Sequence, residues 1–274
     1  MFTSHTPINW DHPLIENMVD YYSASQGGDP PEINLRRGVP ASTIGGAPFV
    51  ISTADGAALL LDGSDDYLQY AVSGAPANAA GYFTFLFEFK TTTVNNNDYF
   101  CTYGNSAAAN SFFGFATQTG GAVELRVFAQ NAVSTTLYDA ALASSVWNDG
   151  EVHRVIARLW FGSGSVSDDA FFIDGEIDTL NLTKASAESF SATTFDILTL
   201  GALGRSTIGF WSVSDQLNFA AWGGFLSDRD CLEITRVGLP NLITQRVVVP
   251  TTRVPAVAIG TIPIFYHYYQ NMRA

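Results

Sequence analysis

The sequence predicts an all-β protein: an antiparallel two-sheet jelly-roll sandwich with one short helix and an extended C-terminal arm. Three observations predict this class. Many short apolar runs are separated by Gly, Asn and Asp turn residues, strands do not alternate with helices, and only 14% of the 274 residues are charged. Short strands with frequent turns are typical of sandwiches and jelly rolls, whereas a parallel sheet requires strand–helix alternation.

The predicted strands alternate apolar and polar positions, which indicates that one face of each strand is buried. The clearest is YFTFLFEFK at 82–90, in which every second residue from 83 to 89 is phenylalanine. The other predicted strands are 59–63, 67–72, 111–117, 122–129, 153–161, 170–174, 195–203, 208–213 and 217–225.

One short helix is predicted after residue 226. Ser227 is a favourable N-cap, and Asp230, three residues later, completes a pattern like a capping box. Leu226 and Cys231 are placed to form an apolar staple, and Gly238 is a suitable stop signal. Two cysteines, Cys101 and Cys231, are too few for a disulfide framework, so we expect free buried thiols.

The chain divides into three segments. Residues 1–58 are expected to wrap around the sandwich as part of it, 59–236 to form the sandwich, and 237–274 to form an arm. All 26 acidic residues precede residue 237, and four prolines interrupt the β-branched runs of the arm. We expect it either to dock on an acidic neighbouring subunit or to pack on its own domain. The candidate assembly residues are Arg246, Arg253, Phe265, Tyr266, Tyr268 and Tyr269.

The order of these motifs resembles the laminin-G-like, concanavalin A-type lectin domain, in the form found in phage structural proteins. The resemblance covers about residues 8–236 and depends on short, degenerate motifs. These are NWDHPLIENMVDYYSAS (9–25), ALLLDGSDDYLQY (58–70), FTFLFEFKTTT (83–93), the paired strands within 146–178, and LNFAAWGGFLSDRDCLEI (217–234). The resemblance implies a concanavalin A-like fold, glycan binding as the commonest activity, and calcium as a candidate ion.

The acidic turn DGSDD predicts the candidate calcium ligands Asp62, Asp65 and Asp66, because calcium binds six to eight oxygen atoms. Residues 168–169 are a second candidate. The family's acidic pair in the closing strand is replaced here by residues 216–218, Gln-Leu-Asn. The alternative is a solvated turn in which Asp66 accepts backbone N–H bonds, and no other cofactor is predicted.

No catalytic residue is predicted, although the segment 176–181 is similar to the Glu-x-Asp-x-x-Glu strand of retaining glucanases. Its last carboxylate is replaced by Asn181, and retaining hydrolysis needs two carboxyl groups about 5–5.5 Å apart. Asp174 and Gly175 tolerate positive φ, so we interpret 176–181 as the strand that leaves a hairpin turn. His153 is expected to be a packed, hydrogen-bonded strand residue.

The composition excludes some partners. A net charge of −13 disfavours nucleic acid and anionic membrane surfaces, no run is long enough to span a membrane, and no secretory signal is expected from the first residues. A glycan would require aromatic surfaces with polar groups around them. The available residues, none of which the sequence assigns to a site, are Trp160, Trp211, Trp222, Tyr99, Tyr103 and the loop 94–100.

The preferred functional hypothesis is a non-enzymatic virion protein, a capsid decoration, head-fibre or tail-associated subunit. It would assemble with neighbouring virion subunits, as a homo-oligomer, and could contact a host-surface glycan. A cellular carbohydrate-binding module is the first alternative, and a divergent glycoside hydrolase is the second.

Overall fold

The computed structural model describes residues 8–25, 33–72, 82–92, 95, 97–119, 123–130, 136–142, 146–160, 169–178, 180–182 and 195–244. Within these residues two eight-stranded sheets face each other, with a two-stranded ribbon and two α-helices beside them. Every pairing between the strands of these sheets is antiparallel, which confirms the predicted jelly-roll sandwich. None of the helices in this part of the chain has the length and apolar character needed to cross a membrane.

The first sheet has the order β15-β14-β13-β8-β18-β6-β5, and β1 pairs with the second half of β18. Strand β8 is central in this sheet, since it lies between β13 and β18. The strands are β1 (Met18–Ser23), β5 (Phe49–Thr53), β6 (Gly56–Asp62), β8 (Tyr82–Lys90), β13 (Val152–Trp160), β14 (Ala170–Ile173), β15 (Glu176–Asp178) and β18 (Val213–Trp222).

The second sheet has the order β16-β12-β11-β10-β9-β17-β7-β4. Its strands are β4 (Thr43–Gly45), β7 (Tyr67–Ala71), β9 (Tyr99–Gly104), β10 (Phe112–Thr119), β11 (Val123–Gln130), β12 (Thr136–Leu142), β16 (Leu180–Leu182) and β17 (Ile197–Leu200). The ribbon is formed by β2 (Ile33–Asn34) and β3 (Val39–Pro40).

The main hydrophobic core lies between the two sheets and is unusually aromatic. The ring centroids of Phe83 and Phe113, from opposite sheets, are 5.3 Å apart. Those of Phe85 and Phe115 are 4.5 Å apart. Such contacts add to the free energy gained by burying large aromatic side chains. The alternating phenylalanines that predicted strand 82–90 therefore form the inward face of β8.

A second core lies on the outer face of the first sheet, beneath α1 (Asp228–Val237) and α2 (Leu239–Ile243). Helix α1 confirms the prediction: the Ser227 side chain accepts a hydrogen bond from the Asp230 N–H, and Gly238 follows the last turn. Both cysteines are free and buried, as expected. Helix α2 corrects the prediction that 237–274 is extended throughout, because burial of Leu239 and Ile243 against this core favours a helical turn.

The N-terminal segment contributes strands to both sheets and is fixed by a buried polar network. Asp20 is fully buried and forms an ion pair with Arg37. Its Oδ1 accepts a hydrogen bond of 2.7 Å from Asn34, and its Oδ2 accepts one of 2.7 Å from the Tyr103 hydroxyl. Since Tyr103 lies on β9, the network connects β1 to the opposite sheet.

The strand predictions were wrong at one segment and incomplete at others. Within 208–213, predicted as a strand, residues 208–212 form an irregular segment with isolated bridges at Gly209 and Trp211, and Val213 begins β18; Phe210 has a φ of 56°. The short strands β2, β3, β4 and β5, together with β9 and β12, were not predicted. The sequences of β9 and β12 lack a clear alternation, so their pairing depends on the neighbours β10, β11 and β17.

We expect Tyr103→Phe to lower the free energy of unfolding by about 1–3 kcal/mol, because buried Asp20 would lose a hydrogen-bond donor. Chemical denaturation measures this change. Tyr22→Phe is the matched control, since the buried Tyr22 hydroxyl has no hydrogen-bond partner among the described residues. Its removal should be neutral or stabilising, and equal losses in the two variants would contradict the proposed role of the network.

Candidate functional site

The acidic segment after residue 173 is a hairpin, as the sequence predicted. Asp174 and Gly175 have φ angles of 52° and 90°, and Ile173 pairs with Glu176 across the turn. The motif then divides between the sheets: Glu176 lies on β15 of the first sheet, and Asn181 pairs with Ala141 on β12 of the second. The residues of the glucanase-like motif therefore do not share one strand.

His153 is a packed strand residue, which confirms its prediction. Its Nδ1 lies 2.7 Å from the Asp174 carboxylate, and its Nε2 lies 2.9 Å from that of Asp149. Burial lowers the pKa of His153, but the two carboxylates raise it more, so the net direction is upward. The interaction connects the loop before β13 to the hairpin turn.

Asp62, Asp65 and Asp66 lie together, as the sequence predicted for an acidic turn. Three carboxylate oxygens, one from each residue, lie within 4.8 Å of one another. Asp62 and Asp65 are exposed, whereas Asp66 is buried. This donor set has the hard oxygen chemistry that calcium prefers, but it supplies only three of the six to eight oxygens required.

The contacts of Asp66 support the alternative interpretation, a structural turn. Its Oδ1 accepts the Ala47 N–H at 2.7 Å, and its Oδ2 accepts the Asp62 N–H at 3.1 Å. Both oxygens therefore already hold the loop before β5 against the β6–β7 turn. Of the second candidate pair, Asp168 lies outside the described residues, and Asp169 accepts the Trp160 N–H at 2.6 Å.

Most of the aromatic candidates for a glycan surface are structural. Trp222 and Tyr103 are buried, and the Trp222 indole donates to the Leu14 carbonyl. Trp211 is partly buried and forms an isolated β-bridge with Tyr99. Trp160 packs against Tyr82, with ring centroids 4.9 Å apart and the ring planes tilted by 55°. Tyr99 alone among these candidates lines a cavity on the second sheet.

This cavity, which we call the Tyr99 cavity, has a volume of about 210 Å³ and opens on the outer face of the second sheet. Its lining combines aromatic, amide, hydroxyl and charged groups, the mixture that orients small ligands. The lining residues are Asn97, Tyr99, Ala116, Thr117, Arg126, Phe128 and Asp139.

Strand geometry explains why these side chains converge. On β11, Leu125 and Val127 point into the main core, so the alternating residues Arg126 and Phe128 point outward. On β9, a bulge beside Phe115 of β10 shifts the register and turns Tyr99 to the outer face. Beside them, a small apolar cluster of Tyr99, Phe112, Ala116, Leu203 and Phe128 forms the floor of this region.

The polar part of the cavity is an ion pair. The Arg126 guanidinium contacts the Asp139 carboxylate and lies 4.9 Å from the centre of the Phe128 ring. Arg126 is 7% exposed, and its Nε has no hydrogen-bond partner among the described residues. The cavity therefore presents both donors and an acceptor beside aromatic surface.

Sequence reasoning identified Tyr99 and part of the loop 94–100 but missed Arg126, Phe128 and Asp139. The signal for Arg126 and Phe128 was present in the alternation of VELRVFAQ, where they share the polar face of a strand. No sequence signal places that face beside Tyr99, because their proximity results from the pairing of β9, β10 and β11.

Comparison with known proteins gives structural likenesses only. No protein-family model matches the sequence, and no curated protein matches it. The binding domain of botulinum neurotoxin serotype D/C has a TM-score of 0.55 and 10% identity, covering 80% of this chain and 52% of its own. That likeness shows a shared lectin-like β-sandwich fold.

Two further likenesses are weaker in structural overlap. The CBM40 of the Ruminococcus gnavus IT-sialidase, bound to α2,3-sialyllactose, has a TM-score of 0.47 and 18% identity, covering 61% of this chain and 92% of its own. The NanB sialidase of Streptococcus pneumoniae has a TM-score of 0.48 and 17% identity, covering 64% of this chain and 27% of its own.

We expect Asp66→Asn to lower the free energy of unfolding by about 1–3 kcal/mol in EGTA and in calcium alike, because an amide can accept only one of the two N–H bonds. Thermal unfolding measures this. Asp65→Asn, which leaves both bonds intact, is the control and should not change stability in EGTA. A rise in Tm with calcium that Asp65→Asn abolishes would instead identify a calcium site.

Proposed function

We propose that this domain binds carbohydrate without cleaving it, and that the Tyr99 cavity holds one sugar residue. The observation that carries the proposal is the arrangement of an Arg126–Asp139 pair beside the rings of Tyr99 and Phe128 in one cavity. A sugar residue has an apolar ring face and a periphery of hydroxyl groups, so it needs both kinds of surface at once.

The polar groups match the two hydrogen-bonding roles of a hydroxyl group. Arg126 donates, Asp139 accepts, and Asn97 can do either. Neighbouring hydroxyl groups of one sugar could therefore accept from Arg126 and donate to Asp139. The aromatic rings supply apolar contact without a directional requirement.

The volume supports a single residue as the bound unit. At about 210 Å³ the cavity is smaller than the roughly 300–1,000 Å³ of sites that enclose drug-sized ligands. The rest of a glycan chain would then extend over the outer face of the sheet. Helices α1 and α2 cover the outer face of the other sheet, whereas the cavity opens beside the small apolar cluster on this one.

Binding rather than hydrolysis is supported by the division of the glucanase-like motif between two sheets. Retaining hydrolysis needs two carboxyl groups on either side of the scissile bond. In the Tyr99 cavity the lining carboxylate is that of Asp139, and it forms an ion pair with Arg126.

We expect Phe128→Ala to weaken glycan binding by about tenfold or more, because an aromatic surface at the centre of the site would be lost. A glycan array identifies the ligand for the full chain, and calorimetry on that ligand measures the change in Kd. Phe225→Ala is the matched control, since Phe225 is 50% exposed and packs against Tyr82, away from the cavity.

Two outcomes would contradict this proposal. The first is an array on which the folded wild-type chain binds no glycan. The second is a glycan whose binding survives Phe128→Ala but is lost in Phe225→Ala, because that result would move the site to the aromatic cluster around Trp160.

A virion structural role remains a second proposal, favoured by the composition of the C-terminal segment. Residues 237–274 contain three arginines and no acidic residue, whereas the rest of the chain is strongly acidic. Opposite charge and main-chain pairing would allow this segment to dock on a neighbouring copy. The six candidate assembly residues, which begin at Arg246, lie outside the described residues.

We expect deletion of residues 245–274 to reduce the association state of the chain, since the proposed docking segment would be lost. The deletion begins after α2 so that Leu239 and Ile243 continue to cover the second core. Light scattering coupled to size-exclusion chromatography measures the mass. If the number of chains per particle is the same with and without the segment, docking through this segment is rejected. An unchanged Tm checks that the shortened chain is folded.

A further inference from the structure

Two arginines lie near Tyr99 although the whole chain has a net charge of −13. Arg126 lines the cavity, and Arg205 lies in the loop after β17. The Arg205 guanidinium lies 6.0 Å from the ring centres of both Phe112 and Phe210, and its Nη1 donates to the Ala109 carbonyl at 2.7 Å. Arg126 and Asp139 therefore line the cavity, and Arg205 adds a second positive charge near Tyr99.

Arg126 has a donor, Nε, that none of the described residues accepts. Asp139 contacts the Nη2 atom, whereas Nε is buried without a hydrogen-bond partner in the described part of the chain. Removing a charged group from water is costly unless it is fully hydrogen-bonded. An acceptor on a bound ligand would supply the missing interaction.

The same charged groups act on the Tyr99 hydroxyl. Burial is the largest effect and raises the pKa of Tyr99 to about 12. Of the charged neighbours, Arg126 and Arg205 lower that pKa, and Asp139 raises it by a smaller amount than either. At this hydroxyl the two arginines therefore outweigh Asp139.

We propose that the sugar residue held in the Tyr99 cavity is acidic, with its carboxylate or sulfate group accepting from the Arg126 guanidinium. This inference rests on the proposed function and adds the charge class of the ligand. An anionic acceptor forms a stronger hydrogen bond with a guanidinium than a hydroxyl does, and a planar carboxylate can accept two such bonds. Arg205 then strengthens binding through its charge.

The test compares oligosaccharides that differ only at the terminal residue. For each linkage, the probes are a neutral hexose, the corresponding hexuronate, and the same hexose carrying a 6-sulfate. We expect the wild-type chain to bind at least one acidic probe about tenfold or more tightly than its neutral counterpart, in a manner that weakens as salt rises. The acidic probe that binds more tightly shows whether the site prefers a carboxylate or a sulfate group.

Variants locate the anion. Arg126→Lys keeps the charge but loses Nε, so it should remove the acidic preference. Asp139→Asn removes the opposing charge and should increase the ratio of acidic to neutral affinity. Arg205→Gln should reduce that ratio by a smaller factor. Arg229→Gln, on an exposed arginine of α1, is the matched control and should leave the ratio unchanged. Tm measurements confirm that each variant is folded.

The outcomes separate the two proposals. Equal affinity for neutral and acidic probes overturns the acidic class and leaves carbohydrate binding in place. Absence of binding to every probe and to the array overturns both. An acidic preference that survives Arg126→Lys, or that falls in Asp139→Asn, places the anion elsewhere and overturns the inference even if one variant is unstable.

Discussion

The structure depends on the two-sided burial of strand β8. Its phenylalanines at 83, 85, 87 and 89 fill the space between the sheets, while Leu86 and Glu88 face the helices on the other side. A shift of one residue would exchange the two faces and bring Glu88 into the aromatic core. Burial raises the pKa of this carboxyl, which Arg154 and hydrogen bonds from Asn218 and Leu239 partly offset. The register of the first sheet is therefore strongly specified.

This constraint also determines where a ligand site can form. Because β8 is covered on both faces, the outer face of the first sheet is committed to the contact with α1 and α2. Phe113 and Phe115 of the second sheet face the same core, whereas Phe112 and Phe128 belong to a small apolar cluster on the outer face of that sheet. Neither helix packs on this cluster, so its neighbours Arg126 and Asp139 line a cavity there. The bulge in β9 then adds Tyr99 to this face.

The sequence predicted those features whose cause is local. Alternation in 82–90, the capping pattern at Ser227 and the Asp174–Gly175 turn all reflect interactions between near neighbours, and each has its expected form. Residues 208–213 and strand β9 were misjudged because their conformation depends on distant partners. The same holds for the site: Tyr99, Arg126 and Asp139 are on three strands, and only the pairing order of the sheet brings them together. The C-terminal assembly residues and the calcium assignment remain predictions.

The Arg126–Asp139 pair suits the proposed binding role better than a role in stability. A partly buried ion pair gains little free energy over apolar residues of similar volume, because both charges are removed from water. Among the described residues this pair also leaves Nε without a partner, a cost that a purely structural pair would avoid by further hydrogen bonds. Its neighbours on β11, Leu125 and Val127, show that the strand packs well with aliphatic residues. Two charges placed beside Phe128 at the mouth of a cavity instead provide a preorganised donor and acceptor, which is what recognition of a polar ligand requires.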